Sequence, residues 1–361
     1  MKIAIIGAGL SGLSCALTLE KHGLSADLFE KQKDIGYDFK IAQLMTPILH
    51  APVDDMIQFL SEKYDIHLKP TTNIQKIHVH SPNESASVEG KLGFINMRGN
   101  HKEAYEKQLA DQLITSRIYC NHHVTHEEVS KEYTHIVLAT GETLDTDQIQ
   151  PFQIDFKSTI VGAIVRGKFL RTEVHTWFDT ELAPKGLVYF LPHSETLGTL
   201  VLIYPQYDEM MAKKKETLWS IALERASYTL KQSLTIEEDF SKRDYVVGKC
   251  QYPRIGNTFF TGNCFGAVTP FLGFGQTGSI LSGIYAAQDM CGIGNYEKLC
   301  KPLYKDYQDS QVLRKTIERL SNDQFDFVTK VLRVKAVESM VTHKNNKSLK
   351  MLSHLLKPFS R

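Results

Sequence analysis

The stretch Lys2-Ile3-Ala4-Ile5-Ile6-Gly7-Ala8-Gly9-Leu10-Ser11-Gly12 decides how this chain begins to fold. Lys2 to Ile6 is a short apolar run of the kind that forms a buried parallel strand, and Leu10, Leu13 and Leu17 are spaced for one face of a helix. The glycines between them turn strand into helix. Gly7 permits the turn, Gly9 lets a pyrophosphate approach the backbone, and Gly12 lets the helix pack closely on the strand. Ala8, Leu10 and Ser11 complete a loop whose free N–H groups, at the helix N-terminus, face the phosphates. Ala26 to Phe29 reads as a second strand that ends at Glu30 and Lys31, and Glu30 lies 18 residues beyond Gly12. An acidic side chain there bonds an adenosine ribose 2′-OH and repels a 2′-phosphate, which disfavours NADP. The unit by itself leaves FAD and NAD open.

Composition narrows the rest. A chain of 361 residues with 42% apolar and 23% charged residues suits a soluble globular protein of two interleaved domains. A formal charge of +1 gives no overall pull toward nucleic acid. The opening strand runs straight into glycines without the regions of a signal peptide, and no apolar run approaches a bilayer span, so a cytoplasmic location is expected. Cys15, Cys120, Cys250, Cys264, Cys291 and Cys300 are scattered without a C-x-x-C pair, which fits a reducing compartment and argues against a dithiol relay. The histidines make no ligand spacing, so no metal is expected, and no G-x-S-x-G motif points to hydrolysis.

Two later stretches add to the opening one. Thr134-His135-Ile136-Val137-Leu138-Ala139-Thr140-Gly141 is an apolar strand closing in a turn of small residues. Thr258-Phe259-Phe260-Thr261-Gly262-Asn263-Cys264-Phe265-Gly266 runs on through Pro270, Gly273, Gly275 and Gln276 into a helix expected from about Thr277 to Met290. On these stretches the chain resembles the FAD-dependent oxidoreductases built like geranylgeranyl reductases and para-hydroxybenzoate hydroxylase. The resemblance implies FAD as cofactor. It places Ala139, Thr140 and Gly141 where the chain returns beside the dinucleotide, and Gly262, Asn263, Pro270, Gly273, Gly275 and Gln276 at the ribityl and ring end. Asn263 would bond a ribityl hydroxyl, and the following helix would aim its N-terminus at the ring edge where negative charge collects on reduction. Arg98, ahead of a helix expected near His101 with Tyr105, Leu109 and Leu113, matches an arginine that the family places at such an entry.

The departures are equally specific. The family usually has aspartate where Asn263 stands, the chain has no Asp-Gly dipeptide of the kind flavin hydroxylases carry, and Asp34-Ile35-Gly36-Tyr37 replaces the cysteine-bearing loop of many geranylgeranyl reductases.

From Thr159 to Val247 strand patterns take over: Ile160 to Arg166, Leu187 to Pro192 and Leu197 to Tyr204, followed by an amphipathic helix from Asp208 to Leu230. The segment Ala183 to Pro192 is similar to the proline-ended aromatic strand that lines the lipid tunnel of geranylgeranyl reductases, with Tyr189 where that family tends to have tryptophan. Beyond Met290 helices are expected, with turns near Gly292, Gly294 and Ser321. Between Lys330 and Arg361, eight Lys or Arg face one acid, Glu338, beside Leu349, Leu352, Leu355 and Leu356; such a segment offers a peripheral contact with anionic lipid.

The expected fold is therefore α/β. A Rossmann-type FAD-binding domain (residues 1–158 and 248–290) carries an inserted antiparallel β-sheet substrate domain (159–247) and a helical C-terminal region (291–361). The expected activity is reduction, or the reverse dehydrogenation, of a carbon–carbon bond in a small apolar substrate, isoprenoid or otherwise lipid-like. No second phosphate-binding glycine loop follows a strand, so electrons would come from a transient NAD(P)H or an electron-carrier protein. The rival readings are an aromatic or lipid hydroxylase, a redox-neutral isomerase or cyclase, and a flavin-binding protein without catalysis. Tyr189, Cys264 and His193 are candidates for the acid that supplies a proton, and none is assigned.

Overall fold

The opening apolar run forms the centre of a sheet. In the computed structural model, which describes residues 1–36, 40–46, 55–207 and 214–333, Ile3–Ile6 lies between Asp27–Phe29 and His135–Leu138, parallel to both. Arg117–Tyr119 extends the sheet on one side, and Thr258–Phe260 with Arg254–Ile255 on the other. Gly7 is the residue that makes the turn possible. Its φ is 107°, and an added Cβ would stand 2.4 Å from the Ala139 carbonyl oxygen. The helix that follows, Leu10–Lys21, is buried along most of its length and crosses the helix Gln276–Met290 at close range.

A second layer is built from long strands. Its seven-stranded sheet has the order Thr235–Cys250, Phe152–Arg166, Leu197–Pro205, Leu187–Pro192, Glu173–Trp177, Lys76–His80 and Ser85–Glu89. The expected strands after Thr159 are present, and the first of them starts earlier, at Phe152, because the run 152–166 is paired along its length with 235–250. The sheet also draws in the hairpin Lys76–Glu89, from far ahead of residue 159. Lys76–His80 runs parallel to Glu173–Trp177, so the sheet is antiparallel except at that join. A three-stranded sheet of Ile41–Met45, Phe94–Arg98 and Thr72–Asn73 packs beside it.

Strand alternation gives the large sheet two buried faces. Val188, Phe190 and Trp177 lie on one, under Leu218, Ala222 and Ala226 of the helix Lys215–Thr229. The expected start of that helix at Asp208 falls outside the described residues. On the same face His78, His80 and His175 form a stack, with centroid separations of 4.4 Å (His78 to His175) and 5.3 Å (His80 to His175). His80 Nε2 and His175 Nδ1 are 3.0 Å apart, and burial holds the two rings down to about 4 and about 3, hence neutral at neutral pH. Among the described residues, no group of His, Cys, Asp and Glu is arranged to hold a metal ion.

The helix expected near His101 is shorter than its pattern, spanning Tyr105–Ala110. It tightens into three-residue turns at Gln112 and Leu113, whose N–H groups donate to the carbonyls of Leu109 and Ala110. After Met290 come Tyr296–Leu299, Lys301–Ile317 and Asn322–Leu332. Ser321 and Gln324 form a capping box at the start of the last of these. Asp326 on that helix accepts hydrogen bonds from Ser81 and Asn83, which ties it to the tip of the recruited hairpin. Among the described residues no helix is long and apolar enough to cross a membrane. The basic segment from 334 onward lies outside the described residues.

Candidate functional site

Two helices present their N-termini where the glycine-rich loops converge, and neither has a side-chain cap. Gly9 precedes Leu10–Lys21 and Gly275 precedes Gln276–Met290. Uncapped first-turn N–H groups together with the helix dipoles make both ends ready for an anionic or electron-rich group. Space is left for one. An added Cβ at Gly9, Gly141 or Gly273 would meet nothing within 4 Å, whereas at Gly12 it would stand 2.1 Å from the Gly7 carbonyl oxygen. Gly9, Gly141 and Gly273 thus leave open room beside the loops, while Gly12 closes the contact between helix and turn.

The residues singled out in the sequence fall into two groups. Thr140, Gly141, Asn263, Pro270, Gly273, Gly275, Gln276 and Arg98 all line one cavity of about 480 Å3. Gly7, Ala8, Gly9, Leu10, Ser11, Gly12, Glu30, Ala139 and Gly262 form the turn and its supports. Ala139 donates its N–H to the Ile6 carbonyl, and Gly262, at φ 58°, lies against the Ser11 hydroxyl. Glu30 closes on the turn, where its carboxylate accepts N–H bonds from Ala8 at 2.9 Å and Gln32 at 3.0 Å. Lys31 pairs with Glu142 at 3.6 Å, and Lys242 of the large sheet approaches the same carboxylate at 3.8 Å.

Arg98 is buried. Its Nε donates to Glu106 Oε1 at 2.6 Å and its Nη1 to Gln43 at 3.0 Å. Asn263 turns its amide toward the backbone, with Nδ2 donating to the Gly141 carbonyl at 3.2 Å. An aspartate at this position would set two acceptors against that carbonyl, which gives a physical reason for asparagine here. At the head of the second helix, Gln276 Oε1 and Thr277 Oγ1 are buried with no hydrogen-bond partner among the described residues. Two orphaned polar atoms beside an uncapped helix start, with open glycines around them, fit the ring end of a dinucleotide.

The cavity continues well past these loops. Phe156, Ile160 and Phe240 from the large sheet form one wall, and Ile317, Phe325 and Val328 from the C-terminal helices face them. Of the three candidate acids, Tyr189 lines this cavity. Cys264 is fully buried, and its thiol lies 3.3 Å from Thr140 Oγ1; burial pushes it up and keeps it protonated. His193 is held at about 4 by burial, and it is absent from the cavity wall.

Residues 5–49 match the family of NAD(P)-binding Rossmann-like domains. The chain superposes on a geranylgeranyl bacteriochlorophyll reductase-like protein from Thermoplasma acidophilum, with a TM-score of 0.75 at 15% identity and 98% of each chain covered. The fold is the one that this solved structure has. The same fold accounts for the likeness to a flavoprotein/dehydrogenase from Cytophaga hutchinsonii (TM-score 0.66, 15% identity, covering 100% of this chain and 98% of that one). It also accounts for the likeness to the flavin-dependent brominase Bmp2 (TM-score 0.62, 13% identity, 100% and 99% covered). A curated relative, the methylenetetrahydrofolate–tRNA-(uracil-5-)-methyltransferase TrmFO of Lawsonia intracellularis, is 30% identical over 151 residues; the match spans 38% of this chain and 31% of that enzyme. No motif in the sequence indicates the cavity walls from residues 41–45, 77–88 and 317–332.

Proposed function

We propose that the chain is an FAD-dependent oxidoreductase that reduces, or dehydrogenates, a carbon–carbon bond of an apolar substrate, isoprenoid or otherwise lipid-like. The observation that carries this reading is the cavity of about 480 Å3, which runs from the Pro270–Gln276 loop between the large sheet and the C-terminal helices under mainly apolar walls. The resemblance stated above and the names of the structural relatives support the same cofactor.

In this reading the turn Gly7–Gly12 and Glu30 hold the adenosine and pyrophosphate, while Gly273, Gly275 and the first turn of the Gln276 helix hold the ring. Bound FAD supplies hydride transfer. The chain contributes the placement of the substrate against that ring, the exclusion of water by Phe156, Phe240 and Phe325, and the helix dipole that stabilises negative charge at the ring edge. Reductant reaches the site from a nicotinamide or a carrier protein that docks transiently.

The test is an anaerobic titration. FAD-loaded protein is reduced with NADH, NADPH or dithionite, and an isoprenoid alkene such as geranylgeraniol is then admitted without oxygen. Return of the oxidised flavin band, with saturated product, is the expected result. A band that returns only when oxygen is admitted would sink the alkene-reductase reading and favour the hydroxylase.

A further inference from the structure

We propose that the Tyr189 hydroxyl is the polar anchor of the substrate: within the apolar part of the cavity it donates a hydrogen bond to an oxygen carried by an otherwise apolar ligand. The inference deepens the reading above and rests on it.

Alternation along Leu187–Pro192 sends Val188 and Phe190 to the face covered by the helix Lys215–Thr229, and Leu187, Tyr189 and Leu191 to the cavity. Tyr189 pairs in register with Thr176 on one side and Val201 on the other. Beyond Val201 comes Gly162, over which the Phe240 ring lies so closely that an added Cβ would stand 2.4 Å from it. Hydrophobic side chains pack around Tyr189 on both sides: Ile41, Ile160 and Ile203 with Phe240, and Leu44, Val174 and Leu191.

Among the polar neighbours, Thr176 and Gln43 each make a hydrogen bond within the fold, and the Tyr245 phenol lies nearby. Thr176 donates to the Val188 carbonyl at 3.2 Å, and Gln43 accepts from Arg98 at 3.0 Å. The Tyr189 hydroxyl has no hydrogen-bond partner among the described residues, although it lines the cavity. Phenylalanine would fill the same volume and require no partner, so the fold itself does not call for a hydroxyl at this partly exposed position in the cavity wall. A ligand oxygen seated opposite it supplies what the protein does not. Burial, with the Tyr245 phenol nearby, pushes the Tyr189 phenol up, so it remains a neutral donor across the physiological range. Its complement is therefore an acceptor, such as a carbonyl, ether or hydroxyl oxygen, on a molecule whose remaining surface is hydrocarbon. The position of such an oxygen fixes how far along the cavity the ligand slides, and so which carbon–carbon bond comes to rest beside the flavin loop.

The experiment uses the FAD-loaded protein and a matched pair of probes, 2-heptadecanone and 1-heptadecene, measured by equilibrium dialysis in one neutral detergent. Wild type is expected to favour the ketone by about tenfold, the scale of one buried hydrogen bond. Tyr189→Phe is expected to bind both probes as wild type binds the alkene, and to melt no lower than wild type without ligand. A ketone preference that survives in Tyr189→Phe overturns the anchor. So does a melting temperature that falls by several degrees, since the hydroxyl would then be bonded within the fold. Wild type that binds both probes equally removes the anchor and leaves the apolar-substrate reading in place. Wild type that binds neither removes both.

Discussion

Gly283→Ala is expected to unfold the cofactor site and leave a chain that retains little or no FAD. Gly283 lies mid-helix in Gln276–Met290, where that helix crosses Leu10–Lys21, and a Cβ there would stand 2.1 Å from the Ser11 carbonyl oxygen and 2.9 Å from its carbon. Both opposing atoms are backbone, so no rotamer change relieves the clash and the helices must separate. Each of them carries one of the two uncapped N-termini of the site, and their separation misplaces both. Overpacking of this kind costs about 3 kcal/mol. Thermal denaturation, together with the ratio of flavin to protein absorbance after gel filtration, measures both consequences. Gly9→Ala is the control: open space surrounds Gly9, so its fold should survive and only dinucleotide affinity should weaken. A Gly283→Ala protein that melts like wild type and keeps its flavin would show that the helix crossing is not the support described here.

The second large effect is expected at Arg98→Met. The substitution removes the guanidinium that Glu106 faces at 2.6 Å and leaves a carboxylate that is 1% exposed, one oxygen of which has no partner among the described residues. Breaking one side of a buried ion pair costs roughly 3–5 kcal/mol, most of it the burden of the charge left behind. Neutralising that charge should therefore reverse much of the loss: Arg98→Met combined with Glu106→Gln is expected to be more stable than Arg98→Met alone. Urea denaturation of wild type, both single variants and the double variant gives the coupling directly. Additive effects of the two substitutions would contradict the pairing. The arginine thus acts first as a structural partner of Glu106 on the cavity wall, a role that its place ahead of a helix in the sequence does not reveal.

What the sequence made legible was local. The turn from Gly7 to Gly12 could be read because a positive φ and two close backbone approaches each require glycine, and those requirements are written in consecutive residues. Glu30 was readable for the same reason, as the end of a short strand at a fixed distance, although its carboxylate closes on the N–H of Ala8. Leu187–Pro192 and Leu197–Pro205 were legible from their β-branched and aromatic runs between turn residues.

What stayed hidden depends on partners distant in the chain. Gly283 looks like any helix glycine until Ser11 is placed against it. The hairpin Lys76–Glu89 gives no sign that it will pair in parallel with Glu173–Trp177. Alternation says that Tyr189 and Phe190 face opposite ways, but which face holds the cavity is decided by the helices Lys215–Thr229 and Asn322–Leu332. The resemblance places Asn263 at a ribityl hydroxyl, and the structure adds a hydrogen bond from its amide to the Gly141 carbonyl. That bond could be found only by bringing the two loops together.

The most direct test of the central claim is the cofactor taken up by the purified protein. The chain is equilibrated with FAD and NAD together, freed of unbound nucleotide, and denatured so that the released chromophore can be identified and counted. Equimolar FAD, without NAD and with the flavin fluorescence quenched before denaturation, is the result this account predicts. Stoichiometric NAD with no retained FAD would contradict it, because the loop Pro270–Gln276 and the helix behind it would then have no flavin ring to hold.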